Sequence, residues 1–205
     1  MRLLGRKNSI NVKKVMWCAN ELGIELERVD MGGPFGGLDS PEFLAKNPNG
    51  LIPCLEDGDL LLWESNAIVR YLVAEYGQGR LGSGSVGGLA RSDMWMDWAL
   101  STLANPFRAL FLNKIRATDA TRDEAAMEAG RAACAKHLDV LDDVLSRQAW
   151  LSGKNFGIGD IPLGCYAYGW FGMNIERPEL PHLATWYERL TERPGFREHV
   201  MLPLT

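Results

Sequence analysis

The chain has 205 residues, 46% hydrophobic and 23% charged, which is enough for two small domains with real cores. The net charge of −4 and the absence of any basic run argue against a nucleic-acid partner or a membrane-surface patch. No stretch approaches the roughly 20 apolar residues that span a bilayer, so we expect no membrane segment.

The first residues and the cysteines bear on the cellular compartment. After Leu3 and Leu4 the sequence turns polar, which does not fit a signal peptide. The four cysteines are widely scattered, form no CxxC and have no histidine at zinc-ligand spacing; they are Cys18, Cys54, Cys134 and Cys165. This pattern is typical of buried thiols in a reducing compartment, so we expect a cytoplasmic protein without a metal site.

Residues 1–77 alternate between strand and helix patterns. Predicted strands occupy residues 3–4, 26–29, 52–55 and 60–63, and predicted helices occupy residues 11–22, 41–45 and 65–76. Gly23 is placed to end the first helix, and Asp57-Gly58 is a hairpin turn signal between the last two strands. The order β-α-β-α-β-β-α predicts an α/β domain with a small mixed sheet and helices on both faces.

The second half of the chain has only helical patterns. Residues 78–88 are rich in Gly and Ser and are predicted to be a linker. Helical periodicity then fills residues 89–116, 122–147, 158–174 and 183–192, and Pro194-Gly195 is expected to end the last helix. The sequence therefore predicts an all-α bundle over residues 89–205.

A polar turn lies between the first strand and the first helix. Ser9 and Asn11 stand at the start of that helix, where backbone N–H groups point outward and the dipole favours negative charge. Ser and Asn are also preferred helix caps, so both residues could serve the fold alone. The alternative is that they donate hydrogen bonds to a bound anion such as a thiolate.

Two further segments have unusual local chemistry. A proline after Ile52 removes a donor from a short buried strand, and a cis bond there would let Ile52 pair with a ligand through its backbone. Ser65 is placed to cap the next helix, but Glu64 before it follows an apolar strand. An acid beside a hydroxyl and a helix terminus could hold the ammonium and the carboxylate of one amino-acid head group.

The order and surroundings of these turns resemble a known family. Residues 47–55, NPNGLIPCL, and residues 63–72, WESNAIVRYL, closely resemble the glutathione-binding segments of cytosolic glutathione transferases of the theta-, delta- and nu-like bacterial type. Residues 156–162 look like that family's capping motif, and the resemblance covers essentially the whole chain. It implies a thioredoxin-like N-terminal domain, a cis bond at Pro53, glutathione as cosubstrate with no metal, and a homodimer with two glutathione sites.

The resemblance also implies a role for individual positions. Glu64 would hold the γ-glutamyl ammonium of glutathione and Ser65 its carboxylate, while the backbone of Ile52 would pair with the cysteinyl unit. Ser9 falls where theta- and delta-like members have their catalytic serine, and Asn11 falls where nu-like members have an asparagine directed at the sulfur. We keep both as candidates for activating the thiol.

Part of the family's site is replaced in this chain. Position 50 is Gly50, where delta-like members have a histidine near the glycyl end of glutathione. Another donor is needed for that carboxylate, and Asn49, Lys46 and Arg6 are the candidates. The catalytic cysteine of beta-like members is absent near Ser9, which argues against a protein thiol mechanism.

The remaining prediction concerns the second substrate and the reaction. Phe107 and Phe111 on the first long helix could form an apolar wall for a small hydrophobic electrophile, although the bundle core is the alternative place for both. The sequence thus predicts a glutathione transferase. Two alternatives stay open: glutathione-dependent reduction of disulfides or peroxides, and a binding or interaction module that keeps the fold without catalysis.

Overall fold

The computed structural model describes residues 1–82 and 84–205. Its first part contains the strands β1 (Arg2–Leu4), β2 (Glu27–Val29), β3 (Cys54–Asp57) and β4 (Leu60–Trp63), and the helices α1 (Ile10–Leu22), α2 (Pro41–Leu44) and α3 (Ser65–Tyr76). The chain order β1-α1-β2-α2-β3-β4-α3 confirms the predicted α/β arrangement. A short 3-10 helix, Gly33–Phe35, lies in the glycine-rich loop between β2 and α2.

The four strands form one mixed sheet with the order β2-β1-β3-β4. Strand β1 is parallel to β2 and antiparallel to β3, and β3 is antiparallel to β4. Leu4 at the end of β1 pairs with Cys54 at the start of β3, and Cys54 also pairs with Trp63 at the end of β4. This register places the turn after β1, the segment before β3 and the turn after β4 at one edge of the sheet.

The second part of the chain is helical. It contains α4 (Val86–Trp98), α5 (Ala104–Phe111), α6 (Glu124–Leu145), α7 (Asp160–Gly172), α8 (Pro181–Thr191) and α9 (Pro194–His199). Within the described residues after Trp63, the β pairing is limited to an isolated bridge between Trp150 and Gly153. The predicted all-α second half is therefore confirmed, and no helix in the described part is both long and apolar enough to cross a membrane.

The structure corrects several details of the predicted elements. The helix predicted over residues 89–116 is interrupted by π-helical turns at Ala99–Leu103 and Leu112–Arg116, which periodicity does not reveal. Pro194 begins α9 instead of ending α8, since the first turn of a helix tolerates a residue without an N–H. The third strand begins at Cys54, after Pro53, because proline has no N–H to donate to the neighbouring strand. Helix α4 already begins at Val86, inside the stretch predicted as a linker, and Ser83 of that stretch lies outside the described residues.

The two halves share one continuous apolar core. Trp17 of α1 is fully buried, with its ring 5.4 Å from that of Phe156 and 4.9 Å from that of Phe196 in the helical half. A Cβ on Gly164 of α7 would lie 2.9 Å from the Trp17 ring, so α7 approaches α1 closely because this residue is glycine. The packing fixes α1, and with it the turn that precedes α1, against the helical half.

Candidate active site

The turn after β1 carries Ser9, which is the N-cap residue of α1. Its side chain makes no capping hydrogen bond, although serine is among the preferred residues at this position. The residue is 8% exposed and lines a cavity between the two halves. Because the hydroxyl does not serve the helix, it is free to bind a group in the cavity.

Asn11, in the first turn of α1, joins the turn after β1 to the turn after β4. Its Oδ1 accepts a hydrogen bond from Ser65 Oγ at 3.3 Å and another from Lys14 Nζ at 2.9 Å. Asn11 also lines the cavity, and none of the hydrogen bonds in the described part of the chain uses its Nδ2 as donor. Two of the three predicted site segments therefore meet at one amide side chain.

Glu64 adopts a backbone conformation that residues other than glycine rarely take. Its φ is 69° and its ψ is 110°, and it is the N-cap residue of α3 without a side-chain capping bond. The side chain is exposed, directly beside the buried Ser65. A strained non-glycine residue persists only where the surroundings hold it, and such residues concentrate at ligand-binding sites.

The segment before β3 lies against the turn after β1. The Ile52–Pro53 peptide bond is cis. A Cβ placed on Gly5 would lie 3.3 Å from the Cβ of Ile52, so these two backbones approach closely.

Asn49 is exposed and donates to Asn47 Oδ1 at 3.0 Å, whereas the cavity lining does not include it. Lys46 forms an ion pair with Glu56 at 2.5 Å, whereas Arg6 lines the cavity. Lys46 is therefore less available than Arg6 to bind a ligand carboxylate.

The cavity beside Ser9 and Asn11 has a volume of about 370 Å³. Phe107 and Phe111 of α5 line it, with their rings stacked at 5.9 Å between centroids, and Tyr166 of α7 packs edge-on against Phe107 at 4.9 Å. Phe107 is only 6% exposed, so it belongs to the buried core of the helical half and also forms part of the cavity wall. Tyr166 and Tyr168 of α7 also line this cavity.

Basic side chains are the unexpected feature of the cavity. Four of them line it, and none of the described lining residues is acidic; the four are Arg6, Lys13, Arg108 and Arg116. Burial, and then the neighbouring Arg116, lower the pKa of Arg6. Arg116 donates to the main-chain oxygen of Thr205 at 3.0 Å and 3.2 Å, and Lys13 Nζ donates to the carbonyl of Val200 at 2.9 Å. The cavity is therefore cationic in a chain whose net charge is −4.

All four cysteines are buried with free thiols, as the sequence predicted. Cys165 borders the cavity, but burial raises the pKa of its thiol to about 12 in spite of the nearby Lys14 and Lys13. A thiol with such a pKa supplies almost no thiolate at neutral pH. In the part of the chain that the structure describes, no group of three His, Cys, Asp or Glu side chains could hold a metal ion.

Sequence reasoning missed Lys14 and three of the four basic residues of the cavity. Lys14 stands among apolar positions of α1, where lysine usually faces solvent, yet it is fully buried. One signal was available, because residues three apart on a helix are neighbours and Lys14 follows Asn11 by three. Arg108 and Arg116 carried no such signal, since the π-helical turns that orient this part of the chain are not visible in the sequence.

Comparisons with known proteins agree with this fold. Residues 1–74 match the family model of the glutathione S-transferase N-terminal domain, and residues 92–194 match the model of the C-terminal domain. The chain is 44% identical over 205 residues to glutathione S-transferase GstB of Escherichia coli K12, with 99% of both chains covered. It is 30% identical over 210 residues to glutathione S-transferase 3 of Zea mays, with 98% of this chain and 93% of that protein covered.

A solved structure gives the same result. The theta-class glutathione S-transferase from the citrus canker pathogen Xanthomonas axonopodis pv. citri, with glutathione bound, matches with a TM-score of 0.96 and 48% identity, over 100% of this chain and 98% of that one. The chain therefore belongs to the glutathione S-transferase family, which confirms the resemblance found in the sequence.

Proposed function

We propose that this protein is a glutathione transferase that adds the thiolate of glutathione to small electrophiles. One observation carries the proposal. The Ser9 hydroxyl and the Asn11 amide, neither of them used for capping α1, border a cavity beside the Glu64–Ser65 turn. A site of this kind binds a thiolate at a helix N-terminus and an amino-acid head group next to it.

In this proposal each candidate residue has a distinct contact with glutathione. Glu64 binds the γ-glutamyl ammonium, Ser65 with the N-terminus of α3 binds its carboxylate, and the backbone of Ile52 beside cis-Pro53 pairs with the cysteinyl unit. The glycyl carboxylate is left for Asn49 or Arg6, and the ion pair of Lys46 with Glu56 argues against Lys46.

The energy needed to form the thiolate is within reach of these groups. A free thiol has a pKa of about 8.5, and lowering it by two units requires about 2.7 kcal/mol. Hydrogen bonds to a charged group contribute about 1.5–3 kcal/mol each, and a helix N-terminus adds about 0.3–1 kcal/mol. Ser9 and Asn11 together with α1 therefore suffice without a metal.

The second substrate is a small electrophile bound in the cavity. Phe107 and Phe111 offer an apolar wall, and their contact with Tyr166 holds that wall in place. The four basic side chains add an attraction for any anionic substituent, because charges of one sign in a cleft raise the local concentration of the opposite charge. We therefore extend the predicted class of hydrophobic electrophiles to those that also carry a negative group.

The organisation and location of the protein are part of the same proposal. We assign residues 1–77 to a thioredoxin-like glutathione domain and the helical half to a second domain, which begins with α4 at Val86, so that the linker between them is shorter than the predicted 78–88. The change from mixed to helical structure supports this division. We infer a homodimer from the family resemblance. Three exposed apolar side chains on the edge strand β4 support it, and they are Leu60, Leu61 and Trp63. The buried free cysteines support a cytoplasmic location.

The first test is a calorimetric titration with reduced glutathione. We expect saturable binding, and we expect Glu64→Gln to weaken it by about tenfold or more, since one charge-assisted hydrogen bond of roughly 1.5–3 kcal/mol is lost. Glu75→Gln is the matched control, because Glu75 is exposed on the last turn of the same helix and its loss changes the net charge equally. No binding at millimolar glutathione, or equal weakening by both variants, contradicts the proposed clamp.

Reduction of glutathione disulfide is the second candidate function. The basic residues of the cavity favour it, because glutathione disulfide would bring a second set of carboxylates into that space. Turnover of the disulfide with a dithiol reductant, faster than conjugation of any tested aryl or alkyl halide, would make this the main activity. Binding of glutathione without either turnover would instead identify a non-catalytic module.

A further inference from the structure

Lys14 is a fully buried lysine whose position the proposed mechanism does not yet explain. It is completely inaccessible in α1, and its Nζ contacts Asn11 Oδ1 at 2.9 Å and lies 5.2 Å from the centre of the Tyr166 ring. In the described part of the chain, no carboxylate forms an ion pair with it. A buried ammonium without a carboxylate partner is costly, so its retention calls for a specific role.

The chemistry of the contact determines how the Asn11 amide is oriented. An ammonium group only donates hydrogen bonds, whereas an asparagine amide has an accepting oxygen at one end and a donating NH2 at the other. A flipped amide would place its NH2 against the Lys14 ammonium. Lys14 therefore fixes Oδ1 toward itself. Ser65 Oγ, at 3.3 Å, donates to the same oxygen as long as its single hydrogen is not taken by the glutathione carboxylate.

The other end of the amide is then available to a ligand. With Oδ1 held on the protein side, Nδ2 is the end that has no acceptor among the described residues, and Asn11 borders the cavity. We propose that Lys14 is a positioning residue, which holds the Asn11 amide with its Nδ2 toward the cavity so that this group donates to the glutathione thiolate. The inference rests on the proposed function. Lys14 acts only through Asn11, which is the residue that contacts glutathione.

The surroundings of Lys14 are compatible with a donor at neutral pH. Burial lowers the pKa of its ammonium to about 8, while Cys165 and then Glu64 act to raise it. The groups that face it are therefore Asn11 on its own helix, Cys165 and Tyr166 on α7, and the Glu64–Ser65 turn. At pH 7 Lys14 is therefore protonated in most molecules, and this is the form that donates to Asn11.

The test is a double-mutant cycle of Lys14→Met and Asn11→Ala, each measured for the pKa of bound glutathione from its thiolate absorbance. We expect Lys14→Met to raise that pKa by about one unit, which leaves roughly one tenth of the thiolate at pH values well below it. The kcat should fall in proportion to the thiolate fraction, about tenfold in acid and roughly threefold at neutral pH, while the KM for glutathione stays within about twofold because the head-group contacts remain. In the Asn11→Ala background the same Lys14 substitution should have no further effect.

Two outcomes overturn the proposal. An equal effect of Lys14→Met with and without Asn11 would show that Lys14 acts through its charge or through the fold, and no effect at all would show that the contact is unimportant. Should Lys14→Met fail to fold, Asn11→Asp keeps Lys14 and places an acceptor where Nδ2 stood. It should raise the thiol pKa more than Asn11→Ala does. A smaller rise would show that this end of the side chain does not face the sulfur.

Failure of this inference can be distinguished from failure of the proposed function. Calorimetry of the wild-type protein and of Glu64→Gln reports on glutathione binding without reference to Lys14. If the clamp binds glutathione and the cycle shows no coupling, only the positioning role is wrong.

Discussion

Ser9 illustrates how a single residue can occupy a structural position without performing the structural task. It is the N-cap of α1, but its hydroxyl makes no hydrogen bond to the helix. Two other serines at N-caps do make that bond: Ser40 accepts from Phe43 N at 3.2 Å, and Ser85 accepts from Gly88 N at 3.1 Å. The difference separates a capping serine from one that is left for a ligand.

The difference predicts opposite effects of the same substitution. Ser9→Ala should raise the pKa of bound glutathione by about a unit, through loss of one hydrogen bond to the thiolate, and should change the free energy of unfolding by less than about 0.5 kcal/mol. Ser40→Ala should cost about 1 kcal/mol of stability, as is usual for a lost cap, and leave the thiol pKa unchanged. Urea denaturation and thiolate absorbance measure the two quantities. A large loss of stability in Ser9→Ala, with no change in the thiol pKa, would return Ser9 to the role of a cap.

At the scale of the elements, the sequence predicts the β-α-β-α-β-β-α order because strand and helix patterns alternate over residues 1–77 and turn signals such as Gly23 and Asp57-Gly58 mark some of their ends. Leu60–Trp63 and Ser65–Tyr76 have the predicted boundaries. The convergence of the turns was not predictable from periodicity, since it depends on the register in which Cys54 pairs with both Leu4 and Trp63. Before the structure, only the family resemblance indicated that Ser9, Asn11, Glu64 and Ser65 lie close together.

The helical elements were predicted less well where they form the cavity. The π-helical turns on either side of α5 change the direction of its side chains, and a π-helical turn has no sequence signal comparable to a cap. For this reason the aromatic residues Phe107 and Phe111 could be proposed as a wall or as core, and the structure uses Phe107 as both.

The close packing of α7 against α5 provides a test of the electrophile wall. Gly169 of α7 faces Phe107, and a Cβ added there would overlap the end of the Phe107 ring. Gly169→Ala should push this ring into the cavity and raise the KM for an aryl halide several-fold, because the pocket loses volume. The Kd for glutathione alone should stay within about twofold, since the head-group contacts lie elsewhere.

Steady-state kinetics and calorimetry separate these two effects. Gly87→Ala in α4 is the matched control, because a Cβ at Gly87 meets no atom within 4 Å and so tests helix propensity without crowding. If Gly169→Ala weakened glutathione binding and left the kinetics of the electrophile unchanged, Phe107 would not be part of the second subsite.

Considered as a whole, the molecule depends on contacts that join the two halves through α1. Trp17 Nε1 donates to Glu21 Oε1 at 2.8 Å, and the same carboxylate accepts from Arg193 at 2.7 Å and 2.5 Å. The Arg193 guanidinium also lies 3.9 Å from the centre of the Phe156 ring. Since α1 begins at the candidate thiol site, the same contacts that join the halves also position Ser9 and Asn11.

This continuity predicts that the halves unfold together. Urea denaturation followed by far-ultraviolet circular dichroism, which reports mainly on the helical half, and by tryptophan fluorescence should give one coincident transition. Arg193→Ala removes the cation from the half-buried Glu21 and the contact with Phe156, so it should lower the free energy of unfolding by about 1–3 kcal/mol. Both probes should shift equally.

Arg147→Ala is the matched control for Arg193→Ala. Arg147 also pairs with a carboxylate, Asp143, at 2.6 Å, but both side chains are more than half exposed and lie within four residues of each other at the end of α6. Its loss should leave the free energy of unfolding almost unchanged, as is usual for an exposed ion pair. If Arg193→Ala instead split the transition into two, the halves would be separately stable, and α1 would not be what holds the thiol site against the helical domain.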